Sequence, residues 1–289
     1  MRTTIYTDRS LTKGESEKFL RDNGINVKEI EQDFEIKSKK IVLKSRHGHD
    51  IPVQYVLADG SYDNATMVLV HGHEMNLISL YPIADVLLNE GINVVLYDQR
   101  SHGDNTAKYV SFGYYERDDL EDVVDYVYGK MKDKKSIGLL GQSMGAATCG
   151  FYLGTKHANE HIKFAVLDCP YNNMKSILEF SAKKRKYNDI VARLLLKNLN
   201  ISNRIRAGFW CKDMDVSESI KNTNVPILMY AMEQDTTCPV YMAEEVFDSI
   251  KHNNKEIIKF KEGKHIRGFY KENDTYVSKL LNFVRKYKG

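Results

Sequence analysis

Ser143 stands in the pentad Gly141-Gln142-Ser143-Met144-Gly145, preceded by the apolar run Ile137-Gly-Leu-Leu140 and followed by Ala146 and Ala147. Strand, sharp turn, helix is the context in which G-x-S-x-G carries chemistry. A serine at such a turn takes a strained backbone conformation, the flanking glycines let strand and helix approach, and Oγ projects from the turn. A merely tight turn is the plain alternative. A serine hydroxyl is a poor nucleophile near neutral pH, so covalent chemistry at Ser143 needs a base within hydrogen-bond reach, itself oriented by a carboxylate.

When acid and histidine follow the serine in that order, the candidates are Asp235, just past Ile227–Tyr230, and His265, just past Glu256–Phe260. Each has a structural alternative: Asp235 as a cap for a helix starting near Val240, and His265 as a surface histidine in the polar loop Lys261-Glu-Gly-Lys-His. Asp168 and Glu233 compete for the role of acid. A tetrahedral intermediate also needs two donors for its oxyanion. One is the backbone N–H after the serine, that of Met144; the other is expected from Val68-Leu-Val-His-Gly-His-Glu-Met-Asn, where Gly72 permits a turn that presents the N–H of His73. His71 and His73 lack a third ligand at suitable spacing, so no metal is expected, and acyl transfer by serine needs no cofactor. Asp98, Arg100 and His102 read as a structural loop beside the site.

These residues need rigid elements to hold them. Runs at Ile51–Val56, Met67–Val70, Val94–Tyr97, Ile137–Leu140, Phe164–Leu167, Ile227–Tyr230 and Glu256–Phe260 read as strands. Several are apolar at consecutive positions, as strands covered on both faces of a mostly parallel sheet must be. Leu120, Val123, Val124, Val127 and Met131 share one face of a helix, as do Val277, Leu280, Leu281 and Val284. Alternating strands and helices predict an α/β fold, a mostly parallel central sheet with helices on both faces and the functional loops at the strands' carboxyl ends. Its 289 residues suit a single domain, 1–289. The interval 172–224 is too long for one crossover and reads as a small helical cap insertion.

At this point the chain resembles a known family. His71-Gly72, the loop Asp98-x-Arg-x-His-Gly103, the elbow, Asp235 and His265 occur in the order seen in α/β-hydrolases of the serine aminopeptidase and monoglyceride-lipase-like group, over roughly Ile36 to Lys286. Within it, His-Gly-x-x-Met-Asn together with Ser111-Phe-Gly-Tyr-Tyr-Glu116 looks like bacterial hydrolases of acylaminoacyl-peptidase-like or cinnamoyl-esterase-like type. That resemblance implies the α/β-hydrolase fold, the Ser143-Asp235-His265 triad and the oxyanion hole, and fixes no substrate. Cys238 stands where the family tends to have a small aliphatic residue, and packing is its expected role.

Composition narrows the partners. With 42 Lys+Arg against 39 Asp+Glu, the net charge of +3 is too small for a nucleic-acid binder. Four scattered cysteines show no spacing with one another or with histidine that would gather a metal, and read as reduced thiols. Met1 to Lys40 is charged throughout, with no signal peptide, and no run of eighteen apolar residues occurs, so the expectation is a cytoplasmic protein without a membrane anchor. In the cap, Phe180, Leu195, Leu199, Phe209 and Trp210 are the candidate substrate-binding residues, each with cap-to-core packing as its alternative. Eleven Lys/Arg against five Asp/Glu there suit a solvated helix face, with steering of an anionic substrate as the alternative. The function expected is a serine carboxylesterase, cleaving small-molecule esters or thioesters through an acyl-enzyme. A serine peptidase of aminopeptidase or acylaminoacyl-peptidase-like type is the alternative, a non-catalytic ligand-binding protein the reading from another class, and a homodimer stays open.

Overall fold

The computed structural model describes residues 7–132, 136–184, 186, 194, 197–198, 200–205 and 208–289. The chain enters through two helices, α1 (Arg9–Asp22) and α2 (Val27–Lys37), whose first turns are capped by Asp8 and Asn26. It then lays down eight strands: β1 (Ser38–Lys44), β2 (Asp50–Val56), β3 (Thr66–Val70), β4 (Asn93–Tyr97), β5 (Ile137–Gln142), β6 (Ile162–Asp168), β7 (Ile227–Met232) and β8 (Lys255–Phe260). They form one sheet in the order β1-β2-β4-β3-β5-β6-β7-β8. Only the edge is antiparallel, where β2 pairs with both β1 and β4; from β4 to β8 every pairing is parallel.

The consecutive apolar runs are explained by two cores, one on each face. Val68 and Val70 of β3 point into one, with Leu120, Val123, Val124 and Val127 of α4 (Glu116–Lys130). Met67 and Leu69 point into the other, with Leu80, Ile83 and Leu87 around α3 (Tyr81–Asn89) and Tyr276, Leu280 and Val284 of the C-terminal helix Asn273–Tyr287. The predicted helix faces are therefore the buried ones. Among the elements that the sequence reading did not name are the first strand and the two N-terminal helices. β1 alternates half-buried and exposed positions at a sheet edge, and α1 and α2 each bury only a few side chains, among them Phe19, Leu20 and Phe34.

Helix α5 (Met144–Leu153) lies wholly in the core; Gly145 lets it press onto the sheet, and Gly150 lets Val216 approach from the other side. A Cβ on Gly145 would lie 2.0 Å from the carbonyl oxygen of Val70, and one on Gly141 2.3 Å from that of Gly145. After α6 (Lys156–His161) and β6, the chain leaves the sheet. A β-bridge between Asn173 and Asp215, with Met174 N–H donating to Met214 O at 3.0 Å, ties the exit of this excursion to its return. It carries α7 (Met174–Lys184) and a helical stretch at 200–205. Val216 and Ile220, beyond the bridge, are buried in the main core.

The clearance around the glycines can be tested in two directions. Gly145→Ala forces a methyl into backbone and is expected to cost about 3 kcal/mol or more. Gly14→Ala, in exposed helix α1 with open space around the position, is expected to stabilise by about 0.5–1 kcal/mol. Denaturant midpoints of the two variants against the parent check both signs.

Candidate active site

Ser143 joins β5 to α5 with φ 54° and ψ −115°, a region that L-residues enter only under constraint. The constraint is visible: its N–H donates to Asp168 O at 2.8 Å, and its carbonyl accepts from Ala147 N–H at 3.0 Å as α5 begins. The hydroxyl so presented is met by His265. Its Nε2 lies 2.7 Å from Ser143 Oγ, while its Nδ1 lies 2.5 Å from Asp235 Oδ2. Asp235 follows β7 and is buried; its other oxygen, Oδ1, accepts from the N–H groups of Thr237 and Cys238 at 2.7 and 2.9 Å. The carboxylate therefore anchors its own turn with one oxygen and holds the imidazole with the other. The helix Val240–Ser249 starts from Pro239 without a side-chain cap, so Asp235 is not that cap.

Asp168, the rival acid, is differently engaged. Its carboxylate accepts from Gln142 Nε2 at 2.9 Å, Tyr276 OH at 3.0 Å and Cys169 Sγ at 3.3 Å, and burial pushes its pKa up. It braces β5 against the C-terminal helix. Glu233 is exposed.

The residues expected to supply the oxyanion donors both lie beside Ser143. Met144 opens α5, whose amide dipoles favour negative charge at that end. The loop after β3 closes against the elbow, since a Cβ on Gly72 would sit 3.5 Å from Ser143 Cβ. Among the described residues neither the His73 N–H nor the Met144 N–H donates a hydrogen bond.

Two buried imidazoles, His71 and His102, and the half-buried His73 shape this loop, and all work as neutral groups. His71 Nδ1 donates to Gly72 O at 2.7 Å and its Nε2 accepts from Gln99 N–H at 2.9 Å. His102 Nδ1 donates to Arg100 O at 2.7 Å, and its Nε2 accepts from Glu74 N–H at 3.1 Å and faces His73 Nδ1 at 3.3 Å. Burial lowers their pKa values to about 3 for His71, about 4 for His73 and about 3 for His102. Asp98 holds the same region through the N–H groups of Leu77 and Asp104, and burial raises it to about 6. Arg100 pairs with Asp119 at 3.3 Å.

Sequence reasoning missed several supports. Thr148 on α5 places its hydroxyl 2.9 Å from both Gln99 Oε1 and Met144 O. Buried Glu116 collects Ser111 N–H, Ser111 OH and Gly113 N–H, which turns the Ser111-to-Glu116 motif into a closed loop. That loop holds Phe112 at φ 49°, with its ring 5.0 Å from that of His73 and its carbonyl taken by Tyr171 OH. Ser16 of α1 accepts from Asn76 N–H at 2.8 Å, and Thr12 from Gly103 N–H at 2.9 Å, so the N-terminal helix grips both loops.

The candidate substrate-binding residues divide. Phe209 is 1% exposed, stacked on Tyr114 at 4.9 Å and edge-on to Tyr115, which pins the excursion to the body. Its ring has no free face, and core packing is what the structure assigns it. Trp210 is half-buried beneath the Arg204 guanidinium at 5.6 Å. Phe180 is half-buried on α7 against the core. Leu195 and Leu199 lie outside the described residues.

Comparison with known proteins places this geometry in context. The family described as serine aminopeptidase, S33, matches residues 62–224, a span that contains Ser143 and ends before Asp235 and His265. An uncharacterized protein of Bacillus subtilis, YqkD, is 28% identical over 278 residues, 96% of this chain and 87% of that one. The Pyrococcus furiosus esterase Pf2001 is similar in structure, with TM-score 0.71 and 21% identity over 89% of this chain and 96% of its own. The esterase EaEST of Exiguobacterium antarcticum is similar with TM-score 0.63 and 18% identity over 86% of this chain and 100% of its own.

The neutral imidazoles predict how stability responds to acid. Above about pH 6.5 all three are uncharged in both folded and unfolded chains. Below it the unfolded chain takes up protons that the folded one refuses until about pH 3 to 4, so stability falls as pH drops. Asp98 opposes this between about 4 and 6, where the folded state holds the extra proton. The net slope is expected to remain that of a protein losing stability on acidification. His102→Gln, which keeps an acceptor for Glu74 N–H, should flatten it by up to about 1.4 kcal/mol per pH unit, read from denaturant midpoints between pH 7.5 and 4.5.

Proposed function

The chain belongs to the serine aminopeptidase S33 family of α/β-hydrolases, and on that premise we propose that it is a serine hydrolase cleaving small carboxylic esters or thioesters through an acyl-enzyme. One observation carries the reading: the continuous relay from Asp235 Oδ2 to His265 Nδ1 at 2.5 Å and from His265 Nε2 to Ser143 Oγ at 2.7 Å. In this relay His265 removes the proton from Ser143 as Oγ attacks a carbonyl carbon. Asp235 holds the imidazole in the tautomer with Nε2 free and stabilises the imidazolium that forms. The N–H groups of His73 and Met144 receive the negative charge that develops on the carbonyl oxygen. His265 then protonates the leaving group, and water attacking the acyl-Ser143 ester by the same route in reverse releases the acid and restores the hydroxyl.

The ester preference over a peptidase rests on the insertion between β6 and β7. An aminopeptidase needs a carboxylate to bind the substrate's ammonium group. The acids described there are otherwise engaged: Glu179 lies near Lys175, Asp213 accepts from Trp210 N–H, Asp215 caps the turn at Val216–Ser219, and Glu218 pairs with Lys221. The basic excess of the segment points the same way.

The experiment compares initial rates on p-nitrophenyl esters of increasing acyl length with those on aminoacyl p-nitroanilides. Ester turnover with negligible amide turnover is expected. Ser143→Ala should lower kcat by about 10⁵-fold or more without changing the fold, and Asp235→Asn by about 10⁴-fold. Amide rates matching ester rates would replace the ester reading with the peptidase one, and full activity in Ser143→Ala would overturn the mechanism.

A further inference from the structure

Away from the elbow, three side chains gather that the reaction does not use. Helix α6 carries His157 and His161, four residues apart and therefore on one helix face. Their rings stack with centroids 4.0 Å apart and planes 11° from parallel. Asp125 of α4 closes the group, its Oδ1 2.9 Å from His157 Nε2. One ligand-capable atom from each of the three residues lies within 4.8 Å of the other two.

Both imidazoles are oriented from behind. His161 Nδ1 donates to the backbone carbonyl of His157 at 2.9 Å, which fixes the proton on Nδ1 and leaves a lone pair on Nε2. His157 Nδ1 lies 2.7 Å from the hydroxyl of Tyr152, a fully buried residue in the last turn of α5. Metal-binding histidines characteristically have the second ring nitrogen tied to a protein group in this way. Here both are, and the remaining nitrogen of His157 lies against the Asp125 carboxylate, with His161 in the same group.

We propose that Asp125, His157 and His161 form a binding site for a divalent transition-metal ion of the zinc type. Two imidazole nitrogens and one carboxylate oxygen make a three-ligand set that zinc, cobalt or nickel completes with water; calcium and magnesium, which prefer oxygen ligands, are disfavoured. The ion takes the place of the proton between His157 Nε2 and Asp125, and His157 then carries its proton on Nδ1, donated to Tyr152. Asp125 is largely exposed and free to turn, so the ligand atoms can close to the 2.0–2.2 Å bond lengths of zinc. The ion would clamp α6 to α4 and, through Tyr152, to the end of α5, about 15 Å along that ten-residue helix from Ser143.

The test uses untagged, chelator-treated full-length protein titrated with Zn²⁺ by calorimetry and with Co²⁺ by visible absorption, with the melting temperature followed alongside. The expected result is one saturable ion per chain, visible bands from Co²⁺, and a raised melting temperature. Asp125→Asn and His161→Ala should each weaken binding at least 10-fold, and Tyr152→Phe, which removes only the orienting hydroxyl, about 10- to 100-fold. His47→Gln, which removes an imidazole paired with Asp118 elsewhere, should leave binding unchanged. Absence of saturable binding overturns the proposal, as does binding that survives in His161→Ala. No readout depends on turnover, so the outcome is independent of the acyl-transfer reading.

Discussion

The contact between α5 and the sheet is the constraint from which the site follows. Gly145 lies so close to Val70 O, and Gly141 to Gly145 O, that neither position has room for a methyl group. A helix seated that deeply cannot be reached from β5 by an ordinary turn, and Ser143 absorbs the difference in its backbone at φ 54°. The strain is held by burial rather than by the serine: α5 has no exposed side chain, and its ends meet β3 on one side and Val216 on the other. The same close approach brings the loop after β3 against the elbow, so Ser143 and the loop that carries His73 are placed by one packing contact.

The remaining groups are fixed by hydrogen bonds. Asp235 devotes one oxygen to its own turn and the other to His265. Gln99, Thr148 and His71 link the loop after β4 to α5 and to the loop after β3. Neutral histidines suit this task because each has one donor and one acceptor and needs no counter-charge when buried. A lysine or carboxylate in their place would carry a desolvation cost that the apolar surroundings of β3 and β4 do not offset.

The sheet was legible in the sequence because its interior strands are buried on both faces, which leaves an unmistakable run such as Thr66–Val70. The elbow was legible because its glycines answer to a local steric demand, and Asp235 and His265 because they follow strands in a fixed order. What was not legible is nonlocal. β1 alternates like any polar segment, and only its pairing with β2 makes it a strand. Phe209 looked like a pocket residue because nothing in its neighbourhood announces that Tyr114, ninety-five positions earlier, covers it. The pair His157 and His161 has readable spacing, and Asp125 joins it only through the packing of α4 on α6.

Helix α1 gives the loops something the sheet does not. Its Ser16 and Thr12 hydroxyls accept from Asn76 N–H and Gly103 N–H, one in the loop after β3 and one in the loop after β4. Those amides have no partner within the sheet, so the loops reach their final shape only when the first helix docks across them. The chain's beginning is thereby tied to its middle, and removing the first helix would leave two loop amides without their hydroxyl partners while leaving the sheet's own ladder intact.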